Sequence, residues 1–110
     1  MTDKRIVLST ASSEDEARKI ARCLVERQLA ACVNIVPQIE SIYRWQGKIE
    51  SGRECLLLIK TSADQFPAVR DAIRELHSYK LPECIAIGIE EGSSEYLDWL
   101  GDSLGGNPAP

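Results

Sequence analysis

Leu29-Ala30-Ala31-Cys32-Val33-Asn34-Ile35-Val36-Pro37, Ser41-Ile42-Tyr43-Arg44-Trp45-Gln46-Gly47-Lys48-Ile49-Glu50 and Glu54-Cys55-Leu56-Leu57-Leu58-Ile59-Lys60 follow one another in the chain, and their reading decides the fold. The first run is strand-like, with Val33 and Ile35 on one face. Pro37 then removes a ladder donor, so the strand there must form an edge, a bulge or a bend. The pattern resumes to Trp45, turns at Gln46-Gly47 and returns from Lys48. Cys55 to Ile59 is uniformly apolar, as expected of a strand covered on both faces. The whole is one long hairpin. Its tip, Tyr43 to Glu50, needs partners, because an isolated two-stranded ribbon is marginal in water.

Upstream of the hairpin, Ile6 to Thr10 reads as a first strand. Ser13-Glu14-Asp15-Glu16 is a capping-box signature, with acids on the positive end of the helix dipole. Ala17, Ile20, Ala21, Leu24 and Val25 then recur at helical spacing, predicting one buried stripe and an end near Arg27 or Gln28. Downstream, an Asp64 N-cap places Pro67 in the first turn of a second helix, where it is tolerated. Phe66, Val69, Ile73 and Leu76 form that helix's stripe. A loop from His77 to Glu83 leads to a last core strand, Cys84 to Ile89. That strand has three isoleucines on one face and Cys84, Ala86 and Gly88 on the other. Ser93 or Ser94 caps a short terminal helix, Glu95 to Leu104.

The order strand, helix, strand, strand, helix, strand predicts an α+β fold, the ferredoxin-like βαββαβ sandwich with two helices on one face of an antiparallel sheet. Here it carries a long hairpin between its second and third strands and an added C-terminal helix. Residues 1–104 make one domain, as a length of 110 residues allows. Residues 105–110 read as a flexible tail.

A formal net charge of -4, with the bases scattered, argues against nucleic acid as a partner. No apolar leader precedes Ile6, and no apolar run approaches the ~20 residues that cross a bilayer. The chain therefore reads as cytoplasmic, with no membrane partner. Cys23, Cys32, Cys55 and Cys84 include no Cys-x-x-Cys pair and read as reduced thiols in the core. There is no Gly-x-Ser-x-Gly elbow, no Gly-rich phosphate loop and no His-Glu-x-x-His, so a non-enzyme is expected. Both tryptophans lie outside the six-element core, Trp45 on the hairpin tip and Trp99 on the terminal helix. Together with Ile42, Tyr43, Ile49 and Tyr96 they favour a contact surface between copies of the chain, the alternative being a terminal helix that folds back over the tip within one subunit.

The hairpin runs quoted above, followed by Ile59-Lys60-Thr61, His77-Ser78-Tyr79-Lys80-Leu81-Pro82-Glu83 and Tyr96-Leu97-Asp98-Trp99, strongly resemble the CutA family of divalent-cation-tolerance proteins. The resemblance runs from about Ile6 to Leu104. It implies a tight homotrimer assembled through strand edges and the hairpin tip, a cytosolic location, and a link to copper and other divalent metals. It also implies a likeness to trimeric nitrogen-regulatory signalling proteins, which bind small effectors in clefts between subunits.

His77, the only histidine, admits two readings. A neutral imidazole is a good copper or zinc ligand. A histidine at a helix C-terminus also bonds loose carbonyls and complements the dipole. In some family members copper is held by a first-strand Cys and two adjacent His. At the matching positions this chain has Ser9 and the pair Leu76-His77, so one ligand of three remains. The expectation is copper or another divalent cation bound no tighter than the micromolar range, with no tightly held cofactor. The alternative is a signalling trimer with an effector cleft drawing on Tyr43, Trp45, Lys48 and Lys60, and on Tyr79, Lys80, Glu83 and Trp99. An anionic effector would implicate Lys60 and Lys80.

Overall fold

A computed structural model describes residues 1–105. Its elements follow the predicted order: β1 (Lys4–Ala11), α1 (Glu14–Glu26), β2 (Cys32–Trp45), β3 (Lys48–Ser62), α2 (Phe66–Leu76), β4 (Ile85–Gly88) and α3 (Ser94–Asp102). The four strands form one antiparallel sheet in the order β2-β3-β1-β4. The fold is the expected α+β sandwich.

Register explains the two faces of the sheet. Val33, Ile59, Val7 and Ala86 lie side by side in one row across the four strands. Val7 and Ile59 are fully buried there, packed with Ile20 and Leu24 of α1 and Val69 and Ile73 of α2. The adjacent row, Asn34, Leu58, Leu8 and Ile85, points to the opposite face because side chains alternate along a strand. On that second face, Lys60 carries its ammonium 5.9 Å from the ring centroid of Tyr96, which places α3 there. α3 buries Leu100 completely and leaves Ile85 and Ile87 exposed.

Several details correct the sequence expectations. β4 is four residues long and an outer strand, paired among the described residues only with β1, and Ile85 and Ile87 are exposed rather than core in the single chain. β3 is buried on alternate residues, Cys55, Leu57 and Ile59, rather than equally on both faces. Val25 lies off the buried stripe of α1 at 42% exposure. Leu29 and Ala30 belong to the turn between α1 and β2, where the Thr61 hydroxyl donates to the Leu29 carbonyl at 2.7 Å. The N-cap of α2 is Gln65, not Asp64, with Pro67 within the first two helical positions. Of the predicted tail, 106–110 lie outside the described residues; the Gly105 N–H donates to the Gln28 carbonyl at 2.8 Å.

The proline in β2 marks a bulge. Pairing shifts between Val36 and Ile39, and Gln38 adopts a φ of 57°. The extra residue reverses the facing of everything beyond it. Before the bulge, Val33 and Ile35 face the helices; after it, Ser41, Tyr43 and Trp45 share a face with Glu54 and Leu56. The turn at Gln46-Gly47, with φ of 50° and 80°, has both central residues left-handed, the geometry that matches strand twist.

Candidate functional site

The bulge creates a groove on the second face of the sheet. Its cavity volume is about 590 Å³, within the range of small-molecule sites. One wall is the hairpin: Ser41, Ile42, Tyr43 and Trp45 from β2, with Glu54 from β3. Thr10 of β1 lies at its inner end, and Tyr79, Lys80, Leu81 and Glu83 of the loop after α2 form the other wall.

That loop carries no regular structure, so specific bonds must hold it. The His77 N–H caps α2 by donating to the Ile73 carbonyl at 2.9 Å. The imidazole then bridges two segments. The Tyr79 N–H donates to Nδ1 at 3.0 Å, which leaves Nε2 to carry the proton toward the Thr10 carbonyl, 2.6 Å away. The Tyr79 ring lies 4.6 Å from the imidazole, centroid to centroid, and its hydroxyl donates to Glu54 Oε2 at 2.7 Å. Burial, and then the Glu54 carboxylate, push the Tyr79 phenol well above its usual value.

Glu16 completes the fastening from α1. Its carboxylate accepts from the Ser78 N–H at 2.7 Å and from the Ser78 hydroxyl at 3.1 Å. The Ser12 hydroxyl donates to it at 3.0 Å. Burial alone would raise this carboxyl, but the bonds from Ser78 and Ser12 outweigh it and hold Glu16 below its ordinary value. The capping box is therefore half formed. Ser13 accepts the Glu16 N–H at 3.1 Å, while the Glu16 side chain turns to Ser12 and to a loop 62 residues away.

Of the eight residues assigned to an effector cleft, Tyr43, Trp45, Tyr79, Lys80 and Glu83 meet in this groove. Lys60 and Trp99 do not. They join Tyr96 in a separate cluster on α3, with the Tyr96 and Trp99 rings 5.4 Å apart. Lys48 pairs with Trp45 at the hairpin turn. Glu54, Thr10 and Glu16 escaped the sequence reading, because Glu54 sits in an apolar strand and Glu16 in a helix cap.

Of the residues matching family copper ligands, only His77 carries a metal-ligating side chain. Ser9 is fully buried, its hydroxyl without a hydrogen-bond partner among the described residues. Leu76 packs against the core, and both His77 nitrogens are engaged. Among the described residues, no three His, Cys, Asp or Glu side chains are grouped to hold a metal ion. All four cysteines are free thiols, Cys55 buried and the others half-buried. No described helix is long and apolar enough to cross a membrane.

Comparison with known proteins gives a consistent result. A family profile described as CutA1 divalent ion tolerance protein matches residues 5–103. The divalent-cation tolerance protein CutA of Thermus thermophilus is 51% identical over 102 residues, covering 93% of this chain and 99% of that protein. Human protein CutA is 48% identical over 91 residues, covering 83% of this chain and 51% of its own length. A solved structure of the Thermus thermophilus protein superposes with a TM-score of 0.91 at 51% identity, covering 93% of this chain and 99% of that one.

Proposed function

The chain belongs to the CutA1 divalent ion tolerance family, and from that premise we propose that it acts as a cytoplasmic, non-catalytic homotrimer in divalent-metal tolerance, contacting copper or a similar cation only weakly. The observation that carries the proposal is the family match across nearly the whole domain. The trimer is supported by surfaces a single chain leaves open. Ile42 and Ile49 on the hairpin are 70% and 64% exposed, Ile85 on β4 is 53% exposed, and among the described residues β2 and β4 each have one unpaired edge. Apolar strands with open edges pair with other chains. Four unpaired thiols suit a reducing compartment.

Weak metal contact is the reading that suits one imidazole already bonded on both sides. Calorimetric titration with Cu(II), repeated on His77→Ala, tests it: the parent should bind in the micromolar range or weaker. Nanomolar binding would overturn it. Unchanged growth in graded copper or zinc, in a metal-sensitised host expressing the chain, would contradict the tolerance role.

A second reading, that the protein senses a small effector, is favoured by one observation. Five of the residues expected in such a cleft line a single groove of small-molecule size.

A further inference from the structure

We propose that His77 is a gated ligand: its imidazole pins the 78–83 loop, and it is free to meet a divalent cation only when that loop lets go. The inference rests on the weak-metal reading and supplies the cause of the weakness and the residues that set it.

A metal ion needs a bare nitrogen lone pair, and a neutral imidazole has one. Here Nε2 gives its proton to the Thr10 carbonyl at 2.6 Å, and the Nδ1 lone pair accepts the Tyr79 N–H at 3.0 Å. Exchanging the tautomer opens neither nitrogen. It sets the Nε2 lone pair against a carbonyl oxygen and an Nδ1 proton against an N–H, two repulsive contacts in place of two bonds. His77 can therefore offer Nδ1 only by giving up the Tyr79 N–H, or Nε2 only by giving up Thr10. Both exits loosen the loop: one breaks its bond to the ring, the other the ring's bond to β1.

A second fastening sets how often that happens. Glu16 of α1 accepts the Ser78 N–H at 2.7 Å and the Ser78 hydroxyl at 3.1 Å, holding the residue between His77 and Tyr79. β4 pairs with β1 only as far as Leu8, and the imidazole reaches the Thr10 carbonyl two residues beyond. These ties come from α1, β1 and the loop itself, and none from the hairpin tip. A binding-competent state that is only fractionally populated weakens apparent affinity by that fraction. Loosening the bond between Glu16 and Ser78 therefore strengthens cation binding at His77. The coupling is reciprocal, so an occupied His77 leaves the loop looser by the same factor.

Zn(II) alone is the probe, titrated by calorimetry into the whole protein, Ser78→Ala, Glu16→Gln and His77→Ala. The last variant separates binding at His77 from binding at the thiols. Ser78→Ala and Glu16→Gln should bind zinc at His77 several-fold tighter than the parent, up to about tenfold. Amide hydrogen exchange over 78–83 should quicken as zinc saturates the His77-dependent part of the parent, with no zinc response in His77→Ala. His77-dependent binding seen in the two loosened variants and not in the parent would support the gate as well. Zinc binding unchanged or weaker in both variants, or loop exchange that zinc leaves unchanged or slows, would overturn the gate and leave weak metal contact standing. No His77-dependent binding in the parent or in either loosened variant would remove both.

Discussion

Tyr79→Phe removes one oxygen from the groove wall and leaves the ring beside His77. The lost bond is short, 2.7 Å from the hydroxyl to Glu54 Oε2, and its acceptor is a carboxylate. Hydrogen bonds to charged groups contribute about 1.5–3 kcal/mol. Both side chains are half-buried, which admits water to the vacated site and places the cost at the low end, about 1–2 kcal/mol. That corresponds to roughly a 5- to 30-fold change in the folding equilibrium. Urea denaturation at fixed protomer concentration should show a lower midpoint with an unchanged slope. A double-mutant cycle with Glu54→Ala isolates the pair and should return a coupling of about 1 kcal/mol.

An ultraviolet titration gives an independent check. The Tyr79 phenol is raised above its ordinary 10.0, so its contribution is present below pH 10 and is lost only as pH climbs through the higher folded value. One of the three tyrosines should thus ionise late, and that late phase should vanish in Tyr79→Phe. A coupling below about 0.3 kcal/mol, inside the usual additivity error, would refute the reasoning. So would three tyrosines titrating together.

Glu16→Gln should cost about 1–2 kcal/mol at neutral pH, since an amide cannot accept from all the donors of Ser12 and Ser78. The folded Glu16 carboxyl lies below 4.5, so its contribution is present above that pH and lost as acid takes it through the folded value. Parent and variant should therefore converge in acid denaturation, and a gap independent of pH would contradict the assignment. Gln38→Gly relieves a left-handed residue at the bulge and should be neutral or stabilising by up to about 1 kcal/mol, whereas Gln38→Val should destabilise by about 1 kcal/mol or more. Thermal or urea midpoints moving in the opposite order would show that the bulge does not need this conformation.

The element order was legible because it rests on periodicity, which strands and amphipathic helices write directly into the chain. Ala17, Ile20, Ala21 and Leu24 lie on the buried face of α1 as their spacing requires. Pro37 marked the β2 irregularity correctly, since a missing N–H has few places in a sheet. Its consequence was not legible: whether a strand bends or bulges decides which face Tyr43 and Trp45 occupy, and that depends on register against β3. The same limit applies to the loop. The partner of Glu16 is Ser78 and that of the His77 ring is Thr10, 62 and 67 residues away, and such pairings have no period. For His77, the position at the C-cap of α2 was legible, while the carbonyl its ring meets, that of Thr10, lies on β1. β4 looked like core because its isoleucines are apolar; apolar character alone does not say whether the covering layer is this chain or another.

Assembly decides which layer that is. Sedimentation equilibrium of the purified chain, diluted through the micromolar range, measures it without a label or a ligand. One species at three times the chain mass of 12.2 kDa is expected of the proposed trimer, in which neighbours would cover the exposed isoleucines and the open edges of β2 and β4. A stable monomer at 12.2 kDa would contradict it.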